Sequence, residues 1–187
     1  MKKQLIVCGA STGGKTTFSC EMAQRYGLTH MPIDPIIEGF EDVFPHLRIT
    51  HNANTHERHI EVCQSFKPFL FRMISGLRDY DFVVEGFRIP LADLVETFGH
   101  DHGVYVFGFP RIEPKTKLKL CRKYDLENWT TFMTDEDLLL VLQFLIEESR
   151  FLESECVRLG VPFFDTGEDY DAELERALVT AAARLQI

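Results

Sequence analysis

Residues 9–17 read GASTGGKTT and stand between the apolar run Leu5-Ile6-Val7-Cys8 and the segment FSCEMAQRYG at 18–27. Gly9, four further residues and then Gly14-Lys15-Thr16 fit the spacing G-x-x-x-x-G-K-[ST] of a phosphate-binding loop. Glycines let backbone N–H groups turn inward around an anion without a Cβ in the way. The helix that starts near Gly14 adds its positive end. Gly9, Ala10, Ser11, Thr12, Gly13, Gly14, Lys15, Thr16 and Thr17 are therefore the candidate nucleotide-binding residues. Lys15 would reach the β- and γ-phosphates of ATP and face solvent until the nucleotide arrives. The Thr16 hydroxyl would hold the accompanying Mg²⁺. An ordinary βα turn can also be rich in glycine. The strand before this one and the helix after it supply the context that the spacing requires.

The rest of the chain limits what such a loop can serve. A length of 187 residues suits one domain, 1–187, with room for a small inserted subdomain. Apolar content of 45% and charged content of 26% are those of a globular protein. A net charge of −9 argues against a general nucleic-acid-binding surface. No apolar stretch approaches a membrane span, and the start MKKQLIVCGAS turns glycine-rich too soon for a signal peptide. A cytoplasmic protein, monomer or homodimer, is the expectation. The five cysteines are odd in number and include no Cys-x-x-Cys, which fits reduced thiols. His56, His59 and Cys63 would share one helix face, where a metal site is conceivable and a plain polar helix surface is the alternative.

Short apolar strands alternate with helices. The strands are expected at Gln4–Cys8, His30–Ile33, Asp81–Glu85, Val104–Phe109 and Val161–Asp165. The helices are expected at Gly14–Arg25, Pro90–Phe98, Asp135–Leu159 and Asp169–Leu185. This order implies a doubly wound α/β domain: a parallel five-stranded sheet with helices on both faces. Two segments break the alternation. Residues 35–80 insert a helical stretch, with a helix around His56–Asp79 interrupted or kinked near Pro68. Residues 110–134 form a basic segment without strand signals. Asp34-Pro35 closes the second strand in this reading.

The loop at 9–16 resembles that of the P-loop NTPases. Residues 80–90, YDFVVEGFRIP, look like the third strand of the nucleoside-monophosphate-kinase-like group, in which adenylate kinase runs into Asp-Gly-Phe-Pro-Arg. Here Glu85 takes the place of the acid, and Arg88 follows one residue sooner because the proline is absent. Shikimate kinases share the plan. The resemblance implies a core that holds ATP and Mg²⁺, an acceptor-binding insertion (35–80) and a cationic lid (110–134). It implies that Glu85 stands behind Thr16 at the metal and that Arg88 faces the acceptor. Arg111, Lys115, Lys117, Lys119, Arg122 and Lys123 crowd residues 110–124, and Arg111 and Arg122 are the choices for neutralising the transferred phosphoryl group. Arg150 is a further candidate on the long helix, unless it simply pairs with Glu147 or Glu153. Residues 161–167 resemble the adenine-side strand and loop, where Asp165 or Thr166 could equally cap the last helix.

The function this implies is an ATP- and Mg²⁺-dependent kinase acting on a small-molecule acceptor. Asp34 decides the acceptor type. In shikimate kinase and similar enzymes an aspartate at the end of the second strand meets the acceptor hydroxyl, and a carboxylate there can take its proton. The alternative for Asp34 is an Asx turn before Pro35. The alternative functions are a nucleoside monophosphate kinase, a P-loop hydrolase and a non-catalytic nucleotide-binding module. The hydrolase and switch classes usually carry Asp-x-x-Gly or Asn-Lys-x-Asp elements, which this chain lacks.

Overall fold

The computed structural model describes residues 2–99, 101–125 and 128–185. Positions 126 and 127 of the expected lid segment lie outside them. Five strands, β1 (Gln4–Gly9), β2 (Thr29–Pro32), β3 (Phe82–Gly86), β4 (Gly103–Gly108) and β5 (Phe163–Asp165), form one parallel sheet in the order β2-β3-β1-β4-β5. The loop-bearing strand β1 is central, with Val7 opposite Glu85 on β3 and Gly9 opposite Phe107 on β4.

Side chains alternate faces along a strand. Leu5 and Val7 pack with Phe18 and Met22 of α1 (Lys15–Tyr26) and with Ala177, Leu178 and Ala181 of α7 (Tyr170–Arg184). Ile6 and Cys8 face the other way, toward α2 (Asp34–Val43), α3 (His56–Gly76), α4 (Leu91–Phe98) and α6 (Asp135–Leu159). The apolar runs of β1, β3 and β4 follow from this two-sided burial, because every residue of these strands is covered. A third apolar cluster joins Phe87 and Phe109, beyond the carboxyl ends of β3 and β4, to α6 and to α5 (Pro114–Tyr124).

The doubly wound sheet expected from the sequence is present, and α6 has the expected limits. Thr134 caps α6 by accepting from the Asp137 N–H at 3.1 Å, and Gly160 ends it in the left-handed region. Two local expectations change, and the basic segment takes a definite form. Asp34-Pro35 does not close the second strand; it opens α2, with the proline in the first turn, where its missing N–H costs nothing. The helix through Pro68 runs uninterrupted from His56 to Gly76, because Phe66, Leu70 and Ile74 hold it against the core. The basic segment, expected without strands, has none among its described residues. It folds as α5, with Pro114 in the first turn and Arg122 and Lys123 in the last, where cations suit the carbonyl end. Among the described residues no helix is long and apolar enough to cross a membrane.

Candidate active site

The loop at 9–16 leaves β1 at the centre of the sheet and feeds α1. Gly9 adopts φ 143°, and a Cβ there would lie 2.0 Å from the Phe107 carbonyl oxygen, so only glycine fits beside β4. The Ala10 N–H donates to that same carbonyl at 3.1 Å. Gly14, at φ 98°, turns the chain into the N-terminus of α1. The segment after β5 braces the loop: the Thr166 hydroxyl donates to the Gly13 carbonyl at 3.1 Å, and the Tyr170 hydroxyl donates to Thr17 Oγ1 at 3.0 Å. Thr166 therefore supports the loop, while the cap of α7 comes from Asp169, which accepts from the Ala172 N–H at 3.0 Å.

Lys15 departs from the expectation of a solvent-facing side chain. It is buried, and its Nζ donates to the Ala10 carbonyl at 3.0 Å. The ammonium is folded back over its own loop, which offers no side-chain anion of its own.

Thr16 and Glu85 come together as expected. The Thr16 hydroxyl donates to Glu85 Oε1 at 3.0 Å, and the carboxylate is buried at the end of β3. His30 on β2 places Nε2 3.5 Å from the same oxygen. A hydroxyl and a carboxylate side by side are the hard oxygen donors that Mg²⁺ takes while keeping several waters. The donor set fits that ion.

Beside the loop lies a cavity of about 620 Å³. Ser11 of the loop, Asp34, Glu38 and Arg88 are among its polar lining, and Phe87, Trp129 and Phe144 among its apolar lining. Two sequence choices from opposite sides of the insertion, Asp34 and Arg88, thus meet in one hollow that reaches the phosphate loop. Asp34 sits in the first turn of α2, and its backbone carbonyl accepts from His51 Nε2 at 3.0 Å.

Arg88 is buried. Its Nη1 donates to His59 Nδ1, and its Nη2 donates to the carbonyls of His51 at 2.9 Å and Ala53 at 3.4 Å. Its guanidinium lies over the Phe87 ring at 4.6 Å. Nε is buried without a partner, and no carboxylate among the described residues is within ion-pair distance. Burial lowers the Arg88 pKa; Cys63, Asp34 and Glu148 oppose that shift.

The helix face His56-His59-Cys63 is neither a polar surface nor a metal cluster. His59 and Cys63 are buried, and among the described residues no three His, Cys, Asp or Glu groups are placed to hold a metal. His56 Nδ1 meets Glu148 Oε1 of α6 at 2.6 Å. Burial, with Arg88 next, pushes His59 down to about 3, so its ring is neutral. Accepting from Arg88 at Nδ1 puts the proton on Nε2, which faces Cys63 Sγ at 3.5 Å and Glu148 Oε2 at 3.9 Å. Burial raises the Glu148 carboxyl.

The lid candidates separate. Arg111 pairs with Asp165 and Glu153, and Arg122 with Asp135 and with the carbonyls of Thr130 and Met133. Arg150 pairs with Glu147 and donates to the Pro110 carbonyl at 3.0 Å. The cation that reaches the loop is Lys117 of α5. Its Nζ donates to the Thr12 carbonyl at 2.9 Å and lies 4.1 Å from the Phe109 ring centre. Burial lowers its pKa. Lys117 is one of six basic residues in the segment, and it shares the buried face of α5 with Cys121, four positions on.

No family model and no curated protein matches the sequence. Solved structures do match along nearly the whole chain. A shikimate kinase from Bacteroides thetaiotaomicron aligns over 99% of both chains at 15% identity with a TM-score of 0.56. The YorR protein of Bacillus subtilis, solved with phosphorylated GDP, aligns over 98% of this chain and 99% of its own at 12% identity, TM-score 0.51. TT1252 from Thermus thermophilus aligns over 98% and 99% at 18% identity, also at 0.51. The chain has the fold that these structures share, the shikimate kinase among them.

Proposed function

We propose that the protein is an ATP- and Mg²⁺-dependent phosphotransferase whose acceptor is a small molecule carrying a hydroxyl group. The observation that carries this reading is the cavity in which Asp34 and Arg88 meet Ser11 of the phosphate loop. A hydrolase needs room for a water; this hollow of about 620 Å³ has the size of a metabolite site.

The roles follow from the contacts. The amides of residues 9–16 and Lys15 hold the phosphates, with Lys15 exchanging the Ala10 carbonyl for phosphate oxygens. Thr16 and Glu85 would hold Mg²⁺, which when bound neutralises charge on those oxygens. Asp34 takes the proton of the acceptor hydroxyl as that oxygen bonds to the γ-phosphorus. The bond from phosphorus to the bridging oxygen breaks, and ADP leaves. Lys117, rather than Arg111 or Arg122, supplies positive charge beside the loop, because both arginines are already paired. Arg88 anchors an anionic group of the acceptor. Its unpartnered Nε, and the lack of a carboxylate partner among the described residues, support that role, since a buried guanidinium gains most from an anion when none is yet in place.

The test is ADP release from ATP and Mg²⁺ in the presence of a library of hydroxylated metabolites. Strong stimulation by one acceptor, with the phosphate recovered on its oxygen, supports the proposal. Steady release without any acceptor refutes it in favour of a hydrolase, and stimulation only by nucleoside monophosphates moves the acceptor to an already ionised phosphate.

A further inference from the structure

Four side chains, Thr16, Cys20, His30 and Glu85, are brought together by two short spacings. His30 lies opposite Val83 in the register of β2 on β3, and Glu85 follows Val83 by two positions, so the imidazole and the carboxylate leave the same face of the sheet. That face is covered by α1, where Phe18 joins Val83 in one apolar cluster. Thr16 and Cys20 are four apart on α1 and share one side of it. The Thr16 hydroxyl meets Glu85 Oε1 at 3.0 Å, His30 Nε2 stands 3.5 Å from the same oxygen, and His30 Nδ1 stands 3.7 Å from Cys20 Sγ.

The imidazole is the informative member. Its Nε2 is buried and makes no hydrogen bond. An ion pair with Glu85 alone would draw the two groups together to about 2.7–2.9 Å, the length of a charge-assisted hydrogen bond. They stand apart instead. With the ring proton on Nδ1, toward Sγ, Nε2 presents a lone pair beside a carboxylate oxygen and a hydroxyl oxygen. Three such groups around one point suit a cation. At metal–ligand distances of about 2.1 Å, neighbouring ligands of an octahedral ion lie about 3.0 Å apart. The Thr16–Glu85 separation already matches, and the His30–Glu85 separation exceeds it by about 0.5 Å. Cys20 then holds the far side of the ring, as the second partner of a metal-bound histidine does.

We propose that His30 Nε2 is a third protein ligand of the cation held by Thr16 and Glu85, and that the site therefore takes Mn²⁺ more tightly than Mg²⁺. Mg²⁺ prefers oxygen and keeps its waters, whereas an imidazole nitrogen suits the transition ions. Mn²⁺ accepts hydroxyl, carboxylate and phosphate oxygens as Mg²⁺ does, and it binds nitrogen as well. The inference rests on the phosphotransferase reading in one respect: nucleotide phosphates and water fill the remaining positions. His30 holds the ion and moves no proton, so the roles of Asp34 and Lys15 are unaffected.

The test loads the full chain with Mn²⁺ and β,γ-methylene-ATP and records electron spin-echo modulation, which detects magnetic nuclei bound to the ion. The ¹⁴N of a coordinated imidazole and the ³¹P of a coordinated phosphate give separate signals, and both are expected. Protein labelled with ¹⁵N-histidine should convert the first into a ¹⁵N pattern without any substitution. His30→Phe, which keeps a ring of similar size, should abolish it. Competition between Mn²⁺ and Mg²⁺, read from the signal of free Mn²⁺, should show the preference for Mn²⁺ falling by about tenfold or more in that variant. A ³¹P signal without ¹⁴N overturns the His30 ligand and leaves the nucleotide reading standing, whereas the absence of both overturns the two together. A ¹⁴N signal that survives histidine labelling excludes an imidazole ligand, and one that survives His30→Phe excludes His30. An unchanged preference in His30→Phe overturns the selectivity.

Discussion

Replacing Asp34 by asparagine keeps the size and shape of the side chain and removes its charge. The cost to the fold is small and can be worked out from the contacts. Asp34 lies in the first turn of α2, where a negative charge is worth about 0.3–1 kcal/mol. The hydrogen bond from His51 goes to its backbone carbonyl and survives. Arg88 loses a nearby countercharge and keeps its three acceptors at His59, His51 and Ala53. A loss near 1 kcal/mol lowers the melting temperature of a chain of this size by about 2–4 °C. The cost to the reaction is of another order. A general base is typically worth ~10²–10⁴ in rate, which at about 1.36 kcal/mol per decade is roughly 3–5 kcal/mol of barrier. The two effects are therefore separable. The assay is steady-state ADP release with the identified acceptor, beside a thermal melt of the same preparation. A kcat lowered by two orders or more, with the melt within a few degrees, is the expected result. A kcat within a few-fold of the parent refutes the base and returns Asp34 to a helix-opening role; the acceptor would then be an already ionised group.

Lys117→Met should lower kcat by about 10²-fold or more and change nucleotide affinity far less, because its charge acts where negative charge spreads in the transition state; equal losses in both, read from kcat and analogue binding, would make it a ground-state contact. Glu85→Gln keeps a hydrogen-bond acceptor for Thr16 but should shift the Mg²⁺ dependence of activity to higher metal concentration, and an unmoved Mg²⁺ titration would separate Glu85 from the metal. His59 is depressed to about 3 in the fold against an ordinary value near 6.5, so the unfolded chain binds more protons between those limits. Its contribution is present above about 6.5 and is lost as pH falls toward 3; melts across that range should decline, and His59→Gln should flatten the decline, whereas an unchanged slope would assign it to other groups.

The sequence by itself determined the loop, the strands and the alternating order. Those signals are local: glycines where the backbone must approach β4 or turn left-handed, and short apolar runs where both faces of a sheet are covered. The resemblance carried by residues 80–90 also implied the meeting of Thr16 with Glu85, and the adjacency of β1 and β3 brings it about. The identities of the working cations were left to the tertiary structure. Residues 110–124 carry six basic side chains, and nothing in their order says which one turns inward; the packing of α5 on α6 sends Lys117 to a carbonyl 105 positions away and gives Arg111 and Arg122 to acids on other elements. The same holds for the face His56-His59-Cys63, whose spacing reads first as a plain helix surface and only secondarily as a metal site. Only the arrival of Glu148 from α6, 92 positions beyond His56, and of Arg88 beyond β3 turns it into a buried network. A side chain's partner across the fold is a property of where helices land on the sheet, and that placement is set by the summed burial of many residues rather than by any short stretch.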